Sequence, residues 1–412
     1  MSFEQALSGL NAASQNLDTI GNNVANASTV GYKEGRAEFA DVFASSLAGG
    51  GTQIGIGTRL TAVSPQFTQG NITTTGNPMD VAINGQGFFR LNTGGVATYS
   101  RDGQFSLDKS GFIVNSSNAQ LTGYPANANG TISPSTPVPL QLSLANIAPK
   151  PTVNASLSLN LDSRSTVPVG AFNITDPTTY NSSTALTVYD SQGNSHTLSL
   201  YFRTTAANTW SVYAAADGTA LNMNAAVPPV QQPIGALNFN TSGTMANSVT
   251  MNPAIALTNG AATPLTFALL FPAASTSQYG ASFAVSNNTQ DGYTTGQLAG
   301  FSIGSDGVVQ GRYSNGQTRD QGQIALANFI NPQGLVALGG NQWAESSASG
   351  QPLVGAPTTG SNGTLQAGAL ESSNVDITTE LVDMITAQRV YQANAETIKT
   401  QDQVQQTLMN LR

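Results

Sequence analysis

Apolar residues fall in two different rhythms along the chain. Near the N-terminus, Leu7, Leu10, Leu17 and Val24 stand at a/d-like spacing, with Ser14 and Gly21 completing the heptads and Phe3 one turn ahead. Near the C-terminus, Ile377, Leu381, Met384, Tyr391, Ala395 and Ile398 recur at intervals of three, four or seven. Val404, Leu408 and Leu411 continue that stripe after a one-residue slip. Both patterns predict helices with a narrow apolar seam, as in coiled coils, over 1–30 and 370–412. One reading has the two helices pack on a single globular domain; the other has them pair with each other and with further helices. The narrow seams and the Gly/Ser/Thr-rich segments that set both helices apart favour the second.

The middle follows period two. In "VNASLSLNLD" (153–162), Val153, Ala155, Leu157, Leu159 and Leu161 alternate with Asn154, Ser156, Ser158, Asn160 and Asp162. That alternation predicts a half-buried strand. "LTVYDSQGNSHTLSLYF" (186–202) reads as two strands around a glycine-containing turn. Asn-Gly and Asp-Gly turns recur in "INGQGFF" (83–89), "IGSDGVV" (303–309) and "YSNGQT" (313–318). The segments 31–75 and 355–369 lack a sustained period and read as extended connectors. The fold class is therefore mainly β with α-helical termini, in a chain that goes out and comes back.

Composition changes the picture of the helices. Only 9% of the 412 residues are charged, against roughly 25% in ordinary globular domains. Between Gly218 and Gln290 there is no Asp, Glu, Lys, Arg or His. The N-terminal helix is polar without being charged: Asn16, Thr19, Asn22, Asn23 and Asn26 stand where water-facing helices usually carry Lys and Glu. A net charge of -8 with 14 Lys+Arg argues against nucleic acid as a partner. Cysteine is absent, which excludes disulfides and thiolate chemistry. "MSFEQALSGL" lacks the basic and continuous apolar stretches of a cleaved secretory signal. No apolar run reaches the ~18–20 residues of a membrane span; "LTFALLF" is cut by Pro272.

Candidate chemistry is thin. The single histidine, His196, lies near Asp190, Ser191 and Ser195, but its place on a hairpin favours an exposed turn over a Ser-His-Asp triad. Aspartates before glycine in "RDGQF", "SDGVV" and "QDGYT" lack the ligand spacing of calcium loops. No catalytic, cofactor-binding or metal-binding residue is expected, and the chain does not read as an enzyme.

"SGLNAASQNLDTIGNNVANASTVGYK" (8–33) resembles the N-terminal motif of bacterial flagellar rod and hook proteins. "GNPMDVAINGQGFF" (76–89) and "YSRDGQFSLDKSGFIVNSSNAQLTGY" (99–124) look like their core motifs. "LESSNVDITTELVDMITAQRVYQANAETIKTQDQVQQTLMNL" (370–411) is similar to their C-terminal helix. The resemblance covers roughly 1–150 and 288–412. The β-rich insertion, with "TALTVYDSQGNSHTLSLYF" (184–202), resembles the hook members of that family, and "DGYTTGQLAGFSIGSDGVVQGRYSNGQT" (291–318) and "ANFINPQGLVALGGNQWAESSASGQP" (327–352), beyond it, also look hook-like.

The resemblance implies two nested β-rich domains: a discontinuous core, 76–149 plus 288–354, and an inserted outer β-barrel-like domain, 150–287. It also implies that the helices 1–30 and 370–412 pair as the inner core of a hollow, curved, flexible tube. That tube is a universal joint passing motor torque from rod to filament. Implied partners are other copies of the chain, a distal rod protein, a hook cap protein, a hook-filament junction protein and the flagellar type III export apparatus. The implied location is extracellular, in the flagellum. The expected assembly interface comprises Leu7, Leu10, Leu17, Ile20 and Val24 with Asn22, Asn23 and Asn26 on the N-terminal helix. Leu381, Met384, Ile385, Tyr391, Ile398 and Leu408 are its counterpart on the C-terminal helix. In a homopolymer each surface charge meets its own copies at fixed spacing, so uncharged amides suit such helices. A distal-rod-type axial protein is the near alternative; a secreted β-rich adhesin is the more distant one.

Overall fold

The computed structural model describes residues 2–42, 55–127, 129–221 and 231–410. Long helices lie at either end: α1, Ser2–Ala25, and α2, Ile377–Asn410. Among the described residues between them there are strands and turns, with two short 3-10 turns. The chain forms two compact units. Met1–Leu144, Gly300–Arg312 and Thr318–Arg412 make the first; Ala145–Ala299 with Tyr313–Gln317 make the second.

In the first unit, an antiparallel sheet runs through strands 88–93, 96–100, 120–125 and 318–324, extended by 342–344 and 336–339. Its core holds Val81, Ile83, Phe89, Leu91, Ile113, Leu121 and Leu326, all essentially without solvent contact. A second cluster packs Phe67, Phe88, Tyr99, Phe329 and Trp343 edge to face, with centroids 4.7–6.0 Å apart. The glycines of "INGQG" take positive φ, 107° at Gly85 and 118° at Gly87, which turns the chain between strands 81–84 and 88–93.

The two expected connectors carry more structure than their sequence suggests. Within 31–75, Gly35–Val42 and Gly57–Pro65 pair antiparallel and pack on α1. A register shift between Glu38 and Phe39 breaks the alternation, which is why no period shows in the sequence. Within 355–369, Thr364–Ala367 pairs with Val81–Asn84, and Ala369–Glu371 pairs with Ile72–Thr74. The returning chain is thus stitched into the first unit before α2 begins. α2 starts at Asp376, whose Oδ1 accepts the backbone N–H of Thr378 at 2.8 Å, an N-cap for a long helix.

The second unit is two sheets facing across one core. One contains Asn154–Asp162 at its centre, flanked by 268–271 and 277–279 in parallel and by 284–290 antiparallel. The other is the hairpin Ser182–Tyr189/Ser195–Ala206 continued by Thr209–Ala216. Ala155, Leu157, Leu159 and Leu161 are buried as the alternation requires, against Leu198, Leu200, Phe202, Trp210, Val212, Leu269 and Phe271. Val153 precedes the strand and is exposed. The barrel-like expectation needs correcting: among the described residues no strand pairing joins the two sheets, so they remain open and pack face to face.

This unit reaches beyond 150–287, running from Ala145 to Ala299 and taking in Tyr313–Gln317. Ile147 pairs with Gly296 and Lys150 with Tyr293, and Lys150 Nζ lies 3.2 Å from Asp291 Oδ2. The entering and leaving strands are therefore zipped together before the sandwich starts.

Candidate assembly site on the terminal helices

α1 and α2 pack on each other through a stripe other than the leucine one. The residues of α1 that face the α2 side are Ala6, Gly9, Ala13, Asn16, Ile20 and Asn23, which stand at alternating spacings of three and four. On α2 the facing set is Glu380, Asp383, Ala387, Val390 and Asn394, at the same spacing. The α1 stripe is small residues and amides apart from Ile20, while the α2 stripe carries the carboxylates of Glu380 and Asp383 and the apolar Val390 beside Ala387 and Asn394. The closeness of the two helices depends on Gly9: a Cβ there would lie 2.9 Å from Asn394 Oδ1. Between the two helices and the strand 35–42 lies an open cleft of about 620 Å³.

Asn23 fastens this corner. It is 2% exposed. Its Nδ2 donates to Gly35 O and to Glu380 Oε1, both at 2.9 Å. Its Oδ1 accepts from Gly35 N at 2.9 Å and from Tyr32 OH at 3.1 Å. One amide thus ties α1, α2 and the first strand together using both donor and acceptor atoms. Burial, with Glu34 and Asp383 nearby, raises the pKa of the Glu380 carboxyl. Burial followed by the Glu380 and Glu34 charges pushes the Tyr32 phenol up.

Below the helices sits a buried ionic junction. Glu371 Oε1 lies 2.6 Å from Lys33 Nζ, and Oε2 lies 3.0 Å from Arg101 Nη1. Gly70 N donates to Oε1 at 2.9 Å. Lys33 also donates to Thr68 O at 2.8 Å, and Arg101 Nη2 to Gly85 O at 2.9 Å. The Arg101 guanidinium lies over the Phe88 ring, 5.3 Å from its centroid. Burial lowers the pKa of both cations, while Glu371 opposes that and holds them charged. Gly31, φ 69°, donates its N–H to Glu371 O at 2.8 Å; a Cβ there would meet Asp102 N at 2.6 Å. Asn374 completes the join by accepting from Glu34 N and donating to Gln66 O, both at 2.8 Å. "VGYK" and "LESSN" are therefore two halves of one junction, where the outgoing and returning chains meet.

The expected interface residues divide into two groups. Ile20 and Asn23 are buried inside the chain, in the α1–α2 seam. Leu7 is 43% exposed, Leu10, Leu17 and Val24 are half-buried, Asn22 is exposed and Asn26 half-buried. On α2, Leu381, Ile385 and Tyr391 are exposed, Ile385 by 52%, while Met384 and Ile398 are half-buried. The Leu408 side chain lies outside the described residues. Most of the leucine stripes thus have no full cover within the chain. Spacing reasoning marked those stripes and missed Lys33, Arg101, Glu371, Asn374 and Glu380. A second heptad of Ala, Gly and Asn is legible in α1 once small residues are counted, but a buried ion triad leaves no periodic trace.

His196 in the second unit is not a nucleophile's base. Its Nδ1 is 2.7 Å from Asp217 Oδ2 and its Nε2 3.3 Å from Asp190 Oδ2, while Ser191 Oγ accepts from Ala262 N instead. Ser191, Gln192, Asn194 and Ser195 are exposed, as a hairpin turn requires, while Asp190 at its base is fully buried. It accepts from the backbone of Gln192 and Asn194 and from the amides of Asn194 and Asn259. Burial pushes its carboxyl up, but these amides outweigh it and hold the pKa well below the ordinary carboxylate range. Burial lowers the His196 pKa, but the two carboxylates more than compensate and raise it. Among the described residues no group of three or more His, Asp or Glu is placed to hold a metal ion, and no helix is long and apolar enough to cross a membrane.

Comparison with known proteins gives a consistent picture. Residues 3–33 match the family profile described as "Flagella basal body rod protein", and 366–411 match "Flagellar basal body rod FlgEFG protein C-terminal". Residues 82–167 match "Flagellar hook protein FlgE/F/G D1 domain" and 160–293 match "Flagellar basal body protein FlaE D2 domain". The flagellar hook protein FlgE of Salmonella typhimurium is 45% identical over the whole of both chains. That of Rhizobium meliloti is 34% identical, covering 98% of this chain and 97% of its own. That of Borreliella burgdorferi is 31% identical over 100% and 99%. The crystal structure of Helicobacter pylori flagellar hook protein FlgE2 shares the fold, with a TM-score of 0.50 at 14% identity over 73% of this chain and all of that one.

Proposed function

The chain belongs to the flagellar hook protein family, and we propose that it is the repeating structural subunit of a hook. Copies assemble into a hollow, curved and flexible tube that carries torque from rod to filament. The observation that carries this reading is the division of labour on the terminal helices. The α1 side of their mutual seam is mostly Ala, Gly and Asn, and most of their large apolar residues, Leu7, Leu381 and Ile385 among them, stay exposed. Exposed large apolar residues aligned along a helix mark a surface meant for a partner. In a polymer of one chain that partner is another copy.

The site residues take roles accordingly. Ile20 and Asn23 hold α1 to α2 within a copy. Leu7, Leu10, Leu17 and Val24, with Leu381, Met384, Ile385, Tyr391, Ile398 and Leu408, meet helices of neighbouring copies; Asn22 and Asn26 supply uncharged hydrogen-bonding surface between them. The junction at Glu371 transmits load from the helix pair to the β body, because its two ion pairs and four backbone contacts join three chain segments. The inserted domain, centred on 150–287, is the outer one, and its polar surfaces touch weakly and bias curvature. Export proceeds unfolded through the flagellar type III apparatus to an extracellular position. There the tube adjoins a distal rod protein, a cap protein and a hook-filament junction protein.

Electron microscopy of the purified full-length chain in precipitating salt tests the reading. Tubes are expected; monomers that persist at every salt and protein concentration would overturn it.

A further inference from the structure

Two charges on α2 have no ion-pair partner among the described residues. Arg389 is exposed and forms no ion pair among the described residues. The positions one turn away, Ile385, Thr386, Gln392 and Ala393, hold no acid for it. Asp383 is likewise exposed at the mouth of the α1–α2 cleft, with Thr379, Glu380, Thr386 and Ala387 around it and no cation at helical spacing. At 3.6 residues per turn, positions six apart lie about 120° apart around a helix, so these two side chains cannot reach each other in one copy.

The cleft that Asp383 borders is an acceptor in need of a cation. Glu380 lines it at 6% exposure, accepts a single side-chain hydrogen bond, from Asn23, and ion-pairs with nothing. Glu34 lines it too, against one cation, Arg36, which pairs with none of the three carboxylates among the described residues. Arg389, by contrast, rises from an apolar strip with Val382 and Ile385 exposed on its own side of the helix. Donor and acceptor thus occupy different faces of one subunit. That placement suits a head-to-tail contact, which propagates an open polymer instead of closing a dimer.

We infer that Arg389 of one copy inserts into the carboxylate-lined cleft of a second copy, pairing with Asp383 at its mouth and with the Glu380 carboxylate inside. The inference rests on the tube-forming reading and names one contact within it. The exposed Val382 and Ile385 pack on the rim as the guanidinium enters. The charge pairing fixes which register of the otherwise permissive apolar stripes is adopted.

The test uses full-length chains with reversed charges. R389E alone and D383K alone each place like charges in contact, and each should raise the concentration needed for tubes by roughly tenfold or more. Mixed in equal amounts, the two variants bring opposite charges together at 389 and 383 wherever unlike copies meet, and the mixture should assemble at a lower concentration than either variant alone. Circular dichroism of the isolated variants checks that both fold. If the unaltered chain makes tubes and R389E does so equally well, the contact is refuted. If both variants are folded and assembly-defective but their mixture fails to rescue, the pairing of Arg389 with the cleft is refuted as well. Failure of the unaltered chain itself would instead strike the tube-forming reading.

Discussion

The helix pair of the first unit and the sandwich of the second solve burial in opposite ways. In the sandwich, Leu157, Leu198, Phe202, Val212 and Phe271 face inward and all lie between 0 and 1% exposed. In the helix pair, the inward stripe of α1 is mostly alanine, glycine and asparagine, while Leu7, Leu381 and Ile385 are exposed. The sandwich satisfies its apolar surface alone, so it reads as a finished domain. The helix pair leaves much of its apolar surface, and the charges of Asp383 and Arg389, for something else. A chain that must be stable before assembly and cohesive after it has divided the two tasks between regions.

The largest way to break that contrast is inside the sandwich. Trp210 is 1% exposed and its Nε1 donates to Gln278 Oε1 at 3.1 Å. Trp210→Ala leaves a cavity and an unpaired amide oxygen, and should cost the second unit about 3–5 kcal/mol. Urea unfolding should show the loss in that unit's transition while the first unit's midpoint stays put. A matching shift in both transitions would mean that the two are not independent.

The junction comes next. Glu371→Gln keeps the volume but leaves Lys33 and Arg101 buried without a counter-charge, at a cost of about 3 kcal/mol. Faster hydrogen exchange is expected at Gly31 and Gly70, whose amides point at Glu371. Unchanged exchange there would remove the junction from the list of elements that hold the outgoing and returning chains together.

Much of this architecture was legible in advance, and the parts that were not have physical causes. The strand 154–162 and the hairpin around Gly193 follow from strict alternation, because each buries one face of a sheet. The helices were legible for the same reason, yet the heptad with the largest residues proved not to be the intramolecular seam. Helices that approach closely need small side chains at the contact, and hydrophobicity alone ranks those positions last. The junction was invisible because Lys33, Arg101 and Glu371 are far apart in sequence and each looks like an ordinary surface charge. The hairpin inside 31–75 was hidden by its register shift.

A substitution on the outward stripe separates the two tasks directly. Leu17 is half-buried within the chain. Leu17→Asp should therefore change the melting of the isolated subunit by no more than about 0.5 kcal/mol. It should nevertheless abolish tubes, since a carboxylate would be buried against apolar neighbours of other copies. Ile385→Asp should behave alike. Asn22→Asp, on an exposed position, should weaken assembly only mildly and more at low salt. Normal tubes from both apolar-to-acid variants would mean that the leucine stripes are not the cohesive surface.

The smallest effect sharpens the contrast by pH. His196, the only histidine, lies in the sandwich, so a titration near neutrality should touch that unit and spare the helix pair. Its pKa is raised in the folded state by Asp217 and Asp190, against the lowering effect of burial. A raised folded pKa means that protonated His196 favours the native state. Its contribution is fully present below the unfolded value of about 6.5 and is lost as pH climbs through the folded value. The carboxylates act in the opposite direction: Asp190 and Asp217 have lowered pKa values and lose their contribution only when pH falls through those values. The second unit should thus weaken by up to about 1 kcal/mol between mildly acidic and alkaline pH, the range of a partly exposed pair. Each unit holds one tryptophan, Trp210 in the second and Trp343 in the first. Fluorescence-detected urea unfolding of Trp343→Phe therefore reports the second unit alone. His196→Gln in that background should flatten the alkaline decline. A decline that persists after the substitution would assign the effect to other groups, and the His196 clamp would then have no measurable part in holding the sandwich's turn.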